Sequence, residues 1–221
     1  MMALSIVLFK VAGDQEVIQR LLQREGGTDR ITTDTGGVTR GGVAETSGMP
    51  ATRIRALTTD KSNQFWTDKW EGTEGITHPG IREILFDMRG NAGEPRANRL
   101  FQRSVNALLP KDRRIPEDGV VGTGTLTAAN GLMQDDLGDK MMSNFRQHHE
   151  GLVAKNPVKY GPYAKGWTNR RASLWNSPAL ADLHRAQPAT APKPVAPVKP
   201  VLVKGTPPVD ATVLPPLAKQ P

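Results

Sequence analysis

Arg24-Glu25-Gly26-Gly27, followed by Asp34-Thr35-Gly36-Gly37-Val38-Thr39 and Gly41-Gly42-Val43, is the stretch on which the reading of this chain turns. A glutamate at the last turn of an amphipathic segment meets three Gly-Gly pairs in quick succession. Glycine allows positive φ and close backbone approach at a cost in chain entropy. The pattern therefore predicts a tight β-hairpin, over about residues 28–43, folded across the end of a helix. Glu25 stands where that hairpin leaves the helix, with Asp34 and Thr39 further along it. A carboxylic acid held near a second carboxylate and a hydroxyl is the arrangement that glycosidic bond cleavage requires. The structural alternatives are a solvated Glu25, a turn-shaping Asp34 and an ordinary strand threonine at 39.

Working outward, the chain reads as mainly helical. Asp14 is placed to cap a helix to about Arg24, with Val17, Ile18, Leu21 and Leu22 on one face. Met49-Pro50 opens a short helix with Ile54 and Leu57. Thr59 is the expected cap of a helix bearing Phe65, Trp66 and Trp70. His78-Pro79 precedes a helix with Ile81, Ile84, Leu85 and Met88, ending near Gly90-Asn91-Ala92-Gly93. Another runs from about Pro95, a favourable first-turn proline, through Leu100, Phe101, Val105 and Leu108. Asp118-Gly119-Val120-Val121-Gly122 is a turn signal. Helices are expected over 125–130, 137–154 and from Gly166-Trp167 to about Leu174, and His148-His149 reads as a solvated helix face. Trp66 and Trp70, four apart, share a helix face, as do Asp87 and Asn91.

The chain has 221 residues, a net charge of +7 and no cysteine. Those values exclude a disulfide scaffold and a cysteine-based zinc site and favour polyanionic surroundings. A nucleic-acid partner is not expected, because no basic-aromatic groove pattern or recognisable module is present. The apolar run Ala3–Phe9 is too short to span a membrane and weak as a signal peptide. From Gln187 onward the character changes: ten of the 18 prolines lie there with no aromatic residue. Such a segment favours extended, polyproline-type conformations and cannot bury a core. The expected organisation is an apolar N-terminal segment (1–13), a domain carrying Glu25 (14–93), a second helical domain (94–186) and a Pro-rich tail (187–221).

Taken together, the ordered motifs resemble glycoside hydrolase family 108, the phage and prophage lysozymes, with the small peptidoglycan-binding domain that accompanies it. Glu25-Gly26-Gly27, Asp34, Gly36-Gly37-Val38-Thr39 and Gly42-Val43 match the family's opening series. Phe86-Asp87 with Asn91-Ala92-Gly93 resembles its Phe-Asp…Asn-Ser-Gly segment. Phe101-Gln102-Arg103-Ser104-Val105-Asn106, Asp118–Gly122 and Thr125-Leu126 resemble the second domain's signature, and Gly166-Trp167 with Arg170-Arg171 its end. The sequence departs from the family at Thr28 and Gly41, where aromatic residues are usual, at Arg30-Ile31-Thr32, at Thr35 and at Arg89-Gly90.

The resemblance implies a lysozyme-like α+β fold and cleavage of the β-1,4 bond between N-acetylmuramic acid and N-acetylglucosamine, without cofactor or metal. Glu25 would be the general acid, which requires burial to favour its neutral form. Asp34 would orient water or stabilise positive charge, and Thr39 would position that water. Asp87, Asn91 and Trp66 are the candidate substrate-binding residues, each with a structural alternative as helix cap or core. The expected partner is the peptidoglycan glycan strand. Either a free endolysin, reaching the wall from the host cytoplasm, or a virion-associated lysozyme whose Pro-rich tail docks on phage tail or capsid proteins fits this pattern. A non-catalytic wall-binding or virion protein that keeps the fold is the competing reading.

Overall fold

The computed structural model describes residues 15–24, 31–34, 37–45 and 49–184. The N-terminal segment 1–13, Glu25 and the Pro-rich tail therefore lie outside the described residues. The described residues belong to one compact unit. The described part is mainly helical with one small antiparallel sheet. Among the described residues no helix is long and apolar enough to cross a membrane.

Helix α1 covers residues 15–24 and buries Val17, Ile18, Leu21 and Leu22, the four positions that its periodicity selects. Three strands follow: β1 (Ile31–Asp34), β2 (Gly37–Arg40) and β3 (Val43–Ala44). Ile31 pairs with Arg40 and Asp34 with Gly37, while Arg40 also pairs with Val43. The element is thus a three-stranded meander, one strand more than the expected hairpin. Its second turn is Gly41-Gly42, with φ of 56° and 72°. A two-residue hairpin loop whose central residues both have positive φ matches the right-handed strand twist, so a residue with a Cβ at position 41 would be strained. At Gly37 the constraint is space as well as φ: an added Cβ would sit 1.9 Å from Glu45 Oε2, the atom that accepts the Val38 N–H.

The remaining helices are α2 (Ala51–Arg55), α3 (Thr59–Glu71), α4 (Pro79–Ala92), α5 (Glu94–Leu108), α6 (Thr123–Asn130), α7 (Gln134–Lys155), α8 (Pro157–Tyr160) and α9 (Ala164–Trp175). The α3 cap is Thr58 rather than the expected Thr59; its hydroxyl accepts from Lys61 N–H. From α3, Ser62 Oγ and Trp66 Nε1 both donate to the Gly41 carbonyl, at 2.8 and 2.9 Å. These bonds tie the sheet's turn to the helical body.

Helix α4 is the axis of the fold. Residues 80–89 are all buried, so it is enclosed on every side, as a helix in the middle of a domain must be. Phe86 joins a cluster formed with α1, the sheet, α2 and α3. Ile81, Ile84, Leu85 and Met88 join a second cluster with α5, α6, α7, α9 and a terminal 3-10 segment, Pro178–His184. The boundary expected at 93/94 falls at Gly93, between α4 and α5, which both supply residues to that second cluster.

A polar ridge on α5 secures the long connection to α6. Asn98, Gln102 and Asn106 follow one another at four-residue intervals and so share a face. Asn106 exchanges two bonds with the Ile115 backbone. Gln102 donates to Asp118 Oδ1 and the Val120 carbonyl and accepts from Gly119 N–H, while Asn98 donates to the Gly119 carbonyl. Replacing the buried Gln102 with Ala removes these bonds, while its half-exposed and exposed partners can turn to water, so the loss is about 0.5–1.5 kcal/mol for each bond. Urea denaturation of Gln102→Ala should show that drop with an unchanged m value, and a variant as stable as the wild type would contradict the clamp.

Candidate functional site

Of the charged residues that the fold encloses, Glu83, Asp87 and Arg170 gather beside the last two turns of α1, whereas Arg82 and Arg89 are bonded to Thr73 and Asn98. Glu83 and Asp87, one turn apart on α4, are both completely buried. Their partners come from both sides. Arg20 grips Glu83 through Nε and Nη2 at 3.2 and 2.8 Å, and Arg24 Nη2 adds a contact at 3.2 Å. Ser177 Oγ donates to the same carboxylate at 3.1 Å. Arg24 Nε and Arg170 Nε each lie 2.8 Å from Asp87, one on each oxygen. Arg24 therefore bridges both carboxylates, and Asp87 links α1 to α9. Ion pairs of this kind persist in a core only when both carboxylates are fully engaged, since an unpaired buried charge is severely penalised.

Beside this cluster lies a cavity of about 410 Å³. Arg20, Gln23 and Arg24 supply its wall from α1, Asn169, Arg170 and Ser173 its wall from α9, and the Asn176–Pro178 turn closes one end. Among the described residues no acidic side chain lines it.

The sequence-derived site residues fall as follows. Glu25 lies outside the described residues; its neighbour Arg24 is the last described residue of α1. Asp34 ends β1 opposite Gly37, and Thr39 lies on β2 opposite Thr32. Because register partners and alternate residues share a face, positions 34 and 39 belong to one face of the ladder. Val38, on the other face, is buried against the core, whereas Thr39 is half-buried.

The three candidate substrate-binding residues are engaged within the fold. Asp87 has no exposed surface, and both its oxygens are held by guanidinium groups. Trp66 is 4% exposed and packs edge-on against Phe65 and Phe86. Asn91 Oδ1 lies 2.7 Å from His149 Nε2.

His149 also departs from expectation. It is buried, not solvated, and its ring stacks on Trp167 at 4.4 Å and 10°. Arg171 Nη1 lies 2.7 Å from its Nδ1. An arginine can only donate, so the network assigns the proton to Nε2, which donates to Asn91. Burial, with Arg171 and His148 adding to it, lowers the His149 pKa to about 3.

The residues that sequence reading passed over are Arg20, Glu83, Arg170 and Ser177. A usable signal existed for two pairs: Glu83 and Asp87 interrupt an otherwise apolar helix one turn apart, and Arg20 and Arg24 repeat the same spacing on α1.

The fold places the chain among mainly helical proteins with a small antiparallel sheet near the end of the first helix. It is similar to the solved structure of Brucella abortus SagA, with a TM-score of 0.62 and 20% identity over 79% of this chain and 98% of that one. At that identity the likeness shows the fold alone. No family model and no curated protein matches the sequence, so the family 108 resemblance rests on the motif series.

Two outcomes follow from the geometry. Asp87→Ala strands two buried guanidinium groups and should lower stability by about 3–5 kcal/mol, read from the urea midpoint. For His149, the unfolded side chain has a pKa near 6.5 and the folded one about 3. The unfolded state therefore binds the extra proton, and the stability associated with neutral His149 is present above pH 6.5 and is lost as pH falls from there toward 3. Denaturation between pH 7 and 4 should show a shallower loss for His149→Gln than for the wild type; equal slopes would contradict the assignment.

Proposed function

We propose that this chain is a peptidoglycan hydrolase that cleaves the β-1,4 bond between N-acetylmuramic acid and N-acetylglucosamine, with Glu25 as general acid. The observation that carries the reading is the anchoring of Arg24. This residue, bonded directly to Glu25, is clamped by two buried carboxylates at the wall of a polar cavity. A catalytic acid needs a backbone held to within a fraction of an ångström, and a helix end fixed in this way supplies such a mount. The Gly-rich series that follows Glu25, and the common face of positions 34 and 39, support the same reading.

In the proposed reaction the Glu25 carboxyl protonates the departing glycosidic oxygen as positive charge develops on the sugar. Asp34 directs water or stabilises that charge, and Thr39 holds the water. Carboxyl groups about 6.5–9.5 Å apart would invert the anomeric centre, and a spacing near 5 Å would retain it. The net charge of +7 suits an anionic wall polymer. The phage setting, as free endolysin or virion component, is inferred from the motif resemblance.

Removing a general acid ordinarily costs about 10²–10⁴ in rate. Glu25→Gln should therefore clear a peptidoglycan suspension at least about a hundredfold more slowly, and clearance at the wild-type rate would eliminate the assignment. Mass spectrometry of the fragments tests the bond chemistry: reducing muramyl ends accord with hydrolysis, and anhydro ends would mean a lytic transglycosylase. Wall binding without any cleavage by the wild type would leave the non-catalytic reading.

A further inference from the structure

We propose that a second cavity, at the junction of α4 and α5, is a site for an amino-acid zwitterion, an ammonium and a carboxylate on one carbon. The uncrosslinked diamino acid of a peptidoglycan stem peptide presents such a group; that source rests on the hydrolase reading above. The argument starts from one arginine. Arg89, in the last turn of α4, is 7% exposed. Its hydrogen bonds go to neutral oxygens: Nε donates to Asn98 Oδ1 at 2.9 Å and Nη1 to the Gly72 carbonyl at 3.0 Å. Among the described residues no carboxylate is in ion-pair contact with it, whereas Arg20, Arg24 and Arg170 all touch Glu83 or Asp87. A buried cation without a contacting anion is costly. Burial accordingly lowers the Arg89 pKa, and the charge of Glu94 opposes that shift.

Arg89 and Glu94 line the same cavity, of about 360 Å³, a volume in the range of pockets that take a small ligand. Gly93, with φ of 79°, turns the chain between them, so that two helices each bring one charge to the space. Glu94 Oε2 accepts from Lys69 at 2.7 Å, and its Oε1 has no partner among the described residues. The bond from Lys69, above all, lowers the Glu94 pKa and keeps the carboxylate charged. Pro95, Val120 and Val121 supply an apolar side. Gly119 fixes that side: its φ is 86°, and a Cβ there would lie 2.9 Å from the Pro95 carbonyl, so the loop packs directly on the first turn of α5. A simple anion entering this space meets Glu94, and a simple cation meets Arg89. A ligand carrying both charges complements both. A guanidinium fork matches the two oxygens of a carboxylate, and an ammonium can donate to the unengaged oxygen of Glu94.

Calorimetry on the full chain tests this with four probes. The first is a disaccharide-tripeptide ending in diaminopimelate, whose far carbon bears a free ammonium and a free carboxylate. The second has that ammonium acetylated, the third has that carboxylate amidated, and the fourth is free diaminopimelate. Each cap should weaken binding roughly tenfold, as the loss of a charge-assisted contact implies. Tighter binding of the uncapped disaccharide-tripeptide than of the free amino acid supports the wall as source. Equal affinities would overturn that source and leave the free amino acid as the ligand.

Glu94→Gln keeps the side chain's shape and removes its charge. It should abolish the discrimination against the acetylated probe and preserve that against the amidated one. Arg89→Lys should do the converse, since a point charge replaces the fork. Should Arg89→Lys fold poorly, Val120→Glu, at a position 66% exposed, sets a negative charge at the rim and should weaken the uncapped probe more than its amide. Equal binding of the three disaccharide-tripeptides by the wild type, or binding of none, would overturn the proposal. So would a preference for the carboxylate that ignores acetylation, which would mean a simple anion site. The two readings fail separately. A chain that hydrolyses the strand without distinguishing the probes retains its activity and loses this site. One that distinguishes them but releases no reducing ends keeps the site and is not a hydrolase.

Discussion

Two carboxylates with no exposure to water, Glu83 and Asp87 on an enclosed helix, impose the constraint on which the rest of the arrangement depends. Neither can remain ionised in the core without close cationic partners, and α4 supplies none for them. The partners must come from elsewhere in the chain, and they come from α1 on one side and α9 on the other. Replacing such a cluster with well-packed apolar groups is often neutral or stabilising. Its value here is therefore better sought in specificity than in net stability. An apolar contact tolerates a sliding or rotated α1. A helix carrying Arg20 and Arg24 opposite Glu83 and Asp87 has one register that satisfies both carboxylates.

That constraint also bears on the end of α1. The last turn of a helix carries the negative pole of its dipole, which basic residues offset. Arg20 and Arg24, in the last two described turns of α1, are bonded to these buried anions. The sheet is held independently, through the Gly41 carbonyl gripped by Ser62 and Trp66. The positive φ at position 41 gives glycine there a physical reason.

Much of the fold was legible because it depends on periodicity. The apolar spacing of α1, α3, α4 and α5 marks the faces that are buried, and Gly41-Gly42 marks the turn between β2 and β3. Less of the candidate site was legible. Whether Asp87 faces a groove or the core depends on what α1 and α9 bring to it, and residues separated by most of the chain leave no local trace of their pairing. The partners of Trp66 and Asn91, Gly41 and His149, are likewise tertiary neighbours that leave no local trace. His149 looked solvated beside His148, yet Trp167 and Arg171 cover it. The third strand went unread because two residues, Val43 and Ala44, are too few to produce an alternation.

Motif positions that suggest ligand binding can also have a folding role, and α5 illustrates this. Gln102 and Asn106 hold the 115–120 connection through backbone contacts. Their pattern is explained by the loop they secure, without appeal to a bound glycan. The α1–α9 cavity differs in kind. Its polar rim groups, Gln23, Asn169 and Ser173, are exposed, while the arginines behind them are fixed by buried acids. One carboxylate, Asp87, sets the position of both walls, since Arg24 and Arg170 are held on its two oxygens. The placements of Arg24 on α1 and of Arg170 on α9 are therefore not independent variables.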